Sequence, residues 1–202
     1  MATRPLLMAT MNRHKLEEVR NILDNSGLMS HFTLMDMHDV GFTGDIPEVE
    51  MTLEGNARAK SMVGYNLSGF DCFADDTGLE VLSLGGAPGV HSARYAGEDA
   101  DAGKNIDRLL SELKGFTNRK ARFRTVISLL FEGDEFTFEG VVEGEILTER
   151  RGVKGFGYDP VFRPNGYSVS FGIMDAAEKN RISHRYQAIR KMATFLKQQI
   201  NK

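Results

Sequence analysis

Apolar and polar positions change period several times along the chain, and each change marks an element. Pro5-Leu6-Leu7-Met8-Ala9-Thr10 is a short apolar run that turns polar at its end, the pattern of a buried strand. Leu16, Val19, Ile22 and Leu23 then recur at helical spacing, and Asn25-Ser26-Gly27 supplies a stop. A second strand is expected at about 32–36, then a Gly- and acid-rich loop from Asp39 to Glu50 and a helix from about Thr52 to Tyr65. Phe70 to Ala74 and Leu79 to Leu84 read as two strand segments flanking Asp75-Asp76-Thr77-Gly78.

A long loop follows from Gly85 to Gly97, and such a loop within a compact domain reads as functional or mobile. Ile106, Leu109, Leu110 and Leu113 mark a helix. Strands at about 121–131 and 135–147 are joined by Glu132-Gly133-Asp134, a hairpin signal. A second Gly-rich loop spans Gly152 to Asp159, and the last helix carries Ile189, Met192, Ala193, Leu196 and Ile200 on one face. Helices interleaved with strands, plus one hairpin, predict an α/β fold with a mixed sheet. No repeat, low-complexity tract or linker interrupts residues 1–202, so one domain is expected.

Composition narrows the classes. With 41% hydrophobic and 26% charged residues the chain reads as soluble and globular, and a net charge of -3 gives no reason to expect nucleic acid as a partner. No apolar run approaches the ~20 residues that span a bilayer. The single cysteine, Cys72, lies in an apolar stretch and reads as a buried structural thiol in a reducing, cytoplasmic setting.

Five segments carry candidate chemistry. Thr10-Met11-Asn12-Arg13-His14-Lys15 sits at a strand-to-helix junction, where free backbone N–H groups and Lys15 suit a phosphate; the alternative is a helix that Asn12 merely initiates. Asp75-Asp76-Thr77-Gly78 places adjacent acids at a strand end, which suits magnesium, although strand alternation sends the two carboxylates to opposite faces. The acidic loop offers Glu48, which matters only where the fold brings it to Asp76, and Lys60 shares a helix face with Asn56. Gly155-Phe156-Gly157-Tyr158-Asp159 leaves an aromatic ring unobstructed between glycines, as stacking on a base requires. Ser183 reads as an N-cap, and His184 and Arg185 in the first turn oppose the helix dipole, a local cost that points to another role.

In their order along the chain these segments resemble one family, the inosine triphosphate pyrophosphatases, also called Ham1-like. The shared stretches are Thr10-x-Asn12-x-x-Lys15, Asn56-Ala57-x-x-Lys60 and Ala74-Asp75-Asp76-Thr77-Gly78-Leu79-Glu80-Val81. Gly86-Ala87-Pro88-Gly89-Val90-x-Ser92-Ala93-Arg94-Tyr95-Ala96-Gly97, Gly155-Phe156-Gly157-Tyr158-Asp159-Pro160-Val161-Phe162 and Lys179-x-x-x-Ser183-His184-Arg185 complete the set. Two departures stand out: Glu48-Val49-Glu50 replaces the usual Glu-Thr-Gly, and Met11 replaces a commoner glycine.

The resemblance implies an elongated α/β fold of two lobes around a nucleotide cleft, a homodimer, and Mg²⁺-dependent cleavage of ITP, dITP and XTP to monophosphate and pyrophosphate. It implies a phosphate loop at Thr10, Met11, Asn12, Arg13, His14 and Lys15, with Lys60 assisting. Asp76 becomes the general base or metal carboxylate, Glu48 and Asp75 its acidic neighbours, and Thr77 a hydroxyl that contacts substrate. Phe156 would stack on the base with Gly157, Tyr158 and Asp159 around it, while Lys179, His184 and Arg185 face the purine edge.

Overall fold

The computed structural model describes residues 3–200, and the side chain of His14 lies outside the described residues. Among the described residues seven strands and five α-helices form a mixed α/β fold. The sheet order is β2-β1-β3-β5-β6-β7, with β4 paired to β3. Two compact units divide the chain, one comprising the residues up to Asp76, Val126–Glu139 and the chain from Gln187 on, the other Thr77–Thr125 and Gly140–Tyr186. No helix among the described residues is long and apolar enough to cross a membrane.

The first unit begins with β1 (Arg4–Met8), whose Leu6, Leu7 and Met8 are fully buried, as in a central parallel strand covered on both faces. It pairs in parallel with β2 (Phe32–Met35) and with β3 (Asp71–Val81). The intervening helices are α1 (Arg13–Asn25) and α2 (Leu53–Ser68). Gly27, the expected stop, follows α1 at φ 72°, while α2 runs past the expected end at Tyr65 to Ser68 and is capped by Gly69 at φ 70°. Thr52 caps the start of α2 by accepting from the Gly55 N–H at 3.0 Å. This helix lies so close to the sheet that a Cβ on Gly64 would sit 2.5 Å from Cys72 Sγ. α5 (His184–Ile200) closes the unit with buried Ile189, Met192, Ala193 and Leu196. Here too is the hairpin between β5 (Lys120–Phe131) and β6 (Asp134–Ile146). Its two turn residues, Glu132 and Gly133, both have positive φ, as a two-residue hairpin demands.

The second unit holds the far halves of β3, β5 and β6, together with β4 (Pro88–Gly89) and β7 (Phe162–Pro164). β4 is antiparallel to β3, and β7 to β6. α3 (Ala102–Glu112) packs Ile106 and Leu109 into a core built around Leu79, Phe123, Phe162 and Phe171. Asp101 caps that helix through the Lys104 N–H at 2.8 Å. The short α4 (Ala176–Ile182) precedes Ser183.

Three readings of the sequence need correction. Asp75 and Asp76 do not end a strand: β3 runs unbroken from Asp71 to Val81, because its acids meet lysines and need not turn out to water. The stretch from Gly85 to Gly97 is no structureless loop, since it contains β4 and a 3-10 turn at Ser92–Arg94. α4 and β7 gave no periodic signal, α4 because it buries no side chain fully and β7 because it has only 3 residues, one of them proline.

Candidate functional site

In the first unit Asp75 and Asp76 leave β3 in opposite directions, as alternation predicts. Asp75, buried, pairs with Lys15 of α1 at 3.1 Å. Asp76 pairs with Lys60 of α2 at 2.9 Å and accepts from the Asn56 amide at 3.2 Å. Lys60 Nζ also meets Glu48 Oε1 at 2.6 Å, so one ammonium joins two carboxylates. Glu48, its motif altered, thus comes to Asp76 through Lys60. Asp75 pairs with Lys15 and acts on Lys60 through its charge, and among the described residues no three acidic, histidine or cysteine side chains cluster as a metal cage.

Charge is the dominant fact of this centre. Lys60 is 6% exposed on the face of α2 that meets the sheet. Burial works against its ammonium, but attraction to Asp76, Asp75 and Glu48 outweighs that and holds its pKa above the ordinary lysine value. Burial also pushes the Asp76 carboxyl above the usual aspartate range, with the Glu48 charge adding to it and Lys60 and Asn56 pulling the other way.

The segment from Thr10 to Lys15 forms the turn from β1 into α1. Thr10 Oγ1 accepts from the Asn12 N–H at 3.1 Å, and Asn12 Oδ1 accepts from the Lys15 N–H at 3.2 Å. Asn12 therefore caps α1 as well as standing exposed beside Arg13. Met11 packs its side chain against the cluster of Leu7, Ala9, Met37, Cys72 and Ala74, an anchoring contact that glycine cannot make. His14 contributes backbone to α1, and its side chain is outside the described residues.

The second unit carries the aromatic and cationic candidates. Phe156 is 66% exposed, and Lys179 Nζ lies 4.5 Å from its ring centroid. Behind the ring Asp159, 3% exposed, accepts from the Phe156 N–H at 2.7 Å and pairs with Lys179. Gly155 makes that arrangement possible: its φ is 78°, and a Cβ there would fall 2.0 Å from Asp159 Oδ2. Gly157 has φ 56° and open space about it. Tyr158 is buried in the core, donating its hydroxyl to the Ser92 carbonyl at 2.9 Å, so it ties two loops together. Asp159 divides its side chain between its own loop and Lys179 of α4.

Ser183 caps α5, accepting from the Tyr186 N–H at 3.1 Å, as its sequence context predicts. His184 and Arg185 follow in the first turn, and both are buried. His184 stacks on Phe123 with ring centroids 5.0 Å apart and an interplanar angle of 22°. Its Nδ1 lies 2.6 Å from Thr125 Oγ1, which in turn lies 2.7 Å from Thr77 Oγ1.

Two side chains of this ensemble escaped the sequence reading as site residues. Asn56 holds Asp76 with its amide N–H while its carbonyl oxygen accepts from the Glu50 N–H at 3.0 Å, which fixes the acidic loop to α2. Its place four residues before Lys60 was the available signal. Thr125 lies in a strand of alternating character and has no local signal, since only pairing with β3 brings it to Thr77.

The comparisons agree with this architecture. The profile of the Ham1 family matches residues 6–195. The dITP/XTP pyrophosphatase of Christiangramia forsetii is 47% identical over 191 residues, covering 95% of this chain and 98% of that one. The dITP/XTP pyrophosphatase of Bacillus subtilis is 41% identical, covering 94% and 96%. Among solved structures, a HAM1 protein from Coxiella burnetii superposes with a TM-score of 0.91 at 33% identity, covering 97% of this chain and 100% of that one. The Staphylococcus aureus Ham1 protein superposes with a TM-score of 0.89, also at 33% identity and with the same coverage. Sequence and backbone lead to one conclusion: the chain belongs to the Ham1 family.

Proposed function

We propose that the protein is a nucleoside triphosphate pyrophosphatase that hydrolyses deaminated purine nucleotides, ITP, dITP and XTP, to the monophosphate and pyrophosphate. The observation that carries this reading is the acidic centre, in which buried Lys60 joins buried Asp76 to exposed Glu48 while Asp75 meets Lys15. The substrate class is supported by relatives at 41% and 47% identity that are named dITP/XTP pyrophosphatase.

In the reaction a water attacks the α-phosphorus, its oxygen bonds to phosphorus, and pyrophosphate leaves with the electrons of the broken P–O bond. Asp76 takes up the proton of that water. A carboxyl held above its usual range by burial accepts a proton more readily, which suits the role. Lys15 and Lys60 bring positive charge to phosphate oxygens, where charge builds in the transition state. The helix start at Thr10 to Lys15 holds the same phosphates.

The residues fit a hard divalent cation. Glu48, Asp75 and Asp76 bring more negative charge than Lys15 and Lys60 offset, and Glu48 and Asp76 converge on one cationic group. We assign Mg²⁺, held by Glu48 and Asp76 with Asp75 nearby, since magnesium takes one or two protein carboxylates and fills its shell from water and phosphate. When bound it would neutralise charge on the phosphate oxygens.

On the base side Phe156 offers an exposed ring for stacking, and Lys179, His184 and Arg185 supply donors for a 6-keto oxygen. A 6-amino group would leave those donors unpaired, which is costly in a buried site. We further assign a cytoplasmic homodimer acting on small nucleotides, with no nucleic acid or membrane partner.

The test is pyrophosphate release from ITP, XTP, dITP, ATP and GTP, with and without Mg²⁺. Metal-dependent release from the first three and little from the last two is expected. Absence of release from every nucleotide would sink the reading, and equal release from all five would remove its base-side half.

A further inference from the structure

We propose that Thr125 is a positioning residue that decides which nitrogen of His184 carries the proton, and through it which purines the protein accepts; this rests on the reading of function above. Within the second unit three side chains form an unbroken chain of hydrogen bonds. Thr77 Oγ1 lies 2.7 Å from Thr125 Oγ1, and Thr125 Oγ1 lies 2.6 Å from His184 Nδ1. The strands present these groups to each other: Thr77 of β3 meets Thr125 of β5, and further along Glu80 meets Arg122, contacts that run in opposite directions along the two strands. Phe123, two residues from Thr125 and on the same face of β5, supplies the plate on which the imidazole stacks.

Each hydroxyl has one proton, and with the Thr125 proton spent within the chain there are two directions. In one, Thr77 donates to Thr125 and Thr125 donates to Nδ1, which places the ring proton on Nε2. In the other, Nδ1–H donates to Thr125 and Thr125 donates to Thr77, which makes Nε2 an acceptor whenever the ring is neutral. The two directions differ at Nε2 for the neutral ring; His184 is 6% exposed in the first turn of α5, with Arg185 beside it. Recognition of a 6-keto oxygen needs a donor at Nε2, and only the first direction supplies it. A 6-amino group needs an acceptor, which is what the second direction would offer.

Thr125 is the pivot because it is 0% exposed and touches both ends. Without its hydroxyl the contact that orders Nδ1 is lost, and the direction of the chain no longer selects the tautomer the ring presents to a base. The same direction commits the Thr77 proton inward, so Thr77 meets a ligand as an acceptor.

The experiment compares the wild-type protein with Thr125→Val and Thr125→Ser. It reads the His184 tautomer in the free protein by ¹⁵N NMR at pH 7.5, and kcat/KM for ITP and ATP. We expect an Nε2–H ring in the wild type and in Thr125→Ser, with similar ITP to ATP ratios. In Thr125→Val a tautomer mixture is expected, with the ratio falling about 10-fold or more. An Nδ1–H ring in the wild type, neutral or cationic, overturns the proposal without any variant. So does a Thr125→Val protein that keeps both tautomer and ratio, or a folded Thr125→Ser protein that loses both. A wild type that fails to cleave ITP would refute the functional reading instead, while the NMR arm would still report on Thr125.

Discussion

The acidic centre and the base-side loop hold their working groups by opposite means. Asp76, Lys60 and Asn56 sit in the interiors of β3 and α2, where regular backbone and mutual charge fix them. Phe156 sits on a loop with most of its ring exposed, and what is fixed there is the backbone behind it, pinned by Asp159. On the proposed function, groups that move protons or face phosphate need a set charge and position, which ion pairs provide; a group proposed to grip a flat base needs an open face, which a clamped loop provides without burying it.

The sharpest test of this contrast separates activity from stability at Asp76. Asp76→Asn is expected to lower kcat by about 10²–10⁴-fold, the usual range for a lost general base, in a pyrophosphate-release assay. Its folded carboxyl lies above the unfolded value, so this group's contribution is favourable at low pH and is lost as pH rises through the folded value. At pH 8 the amide is therefore expected to leave Tm unchanged or slightly higher by thermal melting. A large fall in Tm would mean that the carboxylate is mainly structural.

Lys60→Met should behave differently, losing stability as well as rate. It leaves Asp76 and Glu48 without their shared cation, and stranding a buried charge costs about 3–5 kcal/mol, measurable by urea unfolding. Phe156→Ala reverses the pattern: KM should rise about 10-fold for the loss of one base–aromatic stack, while the melting curve stays put. If that variant unfolds several degrees earlier, the ring is a core element after all. Smallest of all, Cys72 should be silent. Burial pushes its thiol up to about 12, so at pH 8 it should react with a thiol reagent only when the protein is unfolded.

What the sequence made legible follows the same division. Periodicity located α1, α2, α3, α5 and the hairpin strands because each buries a regular face. It broke β3 at Asp75-Asp76-Thr77-Gly78 because those residues favour turns, and nothing local announces that Lys15 and Lys60 arrive to neutralise the acids. Alternation did predict that the two carboxylates part company, and Asn56-x-x-x-Lys60 did predict a shared helix face. Tyr158 and Asp159 read from sequence as surroundings of a base; the contacts their side chains make, with the Ser92 carbonyl and with the Phe156 N–H and Lys179, come from segments distant in sequence as well as from the loop itself. Thr125 was invisible, since its meaning comes wholly from a neighbouring strand.

Gly64 shows how far an omission can reach. The helix that carries Asn56 and Lys60 rests on the sheet at Gly64, against Cys72, Ala9 and Leu7. Gly64 lies one turn beyond Lys60, about 6 Å along the axis. A methyl group there would work as a wedge, prying the helix off its seat and drawing the amide and ammonium away from Asp76 together. The tolerance of the whole acidic centre is thus set at a point that bears no charge and no side chain, and a surveyor looking only for chemistry would pass it by.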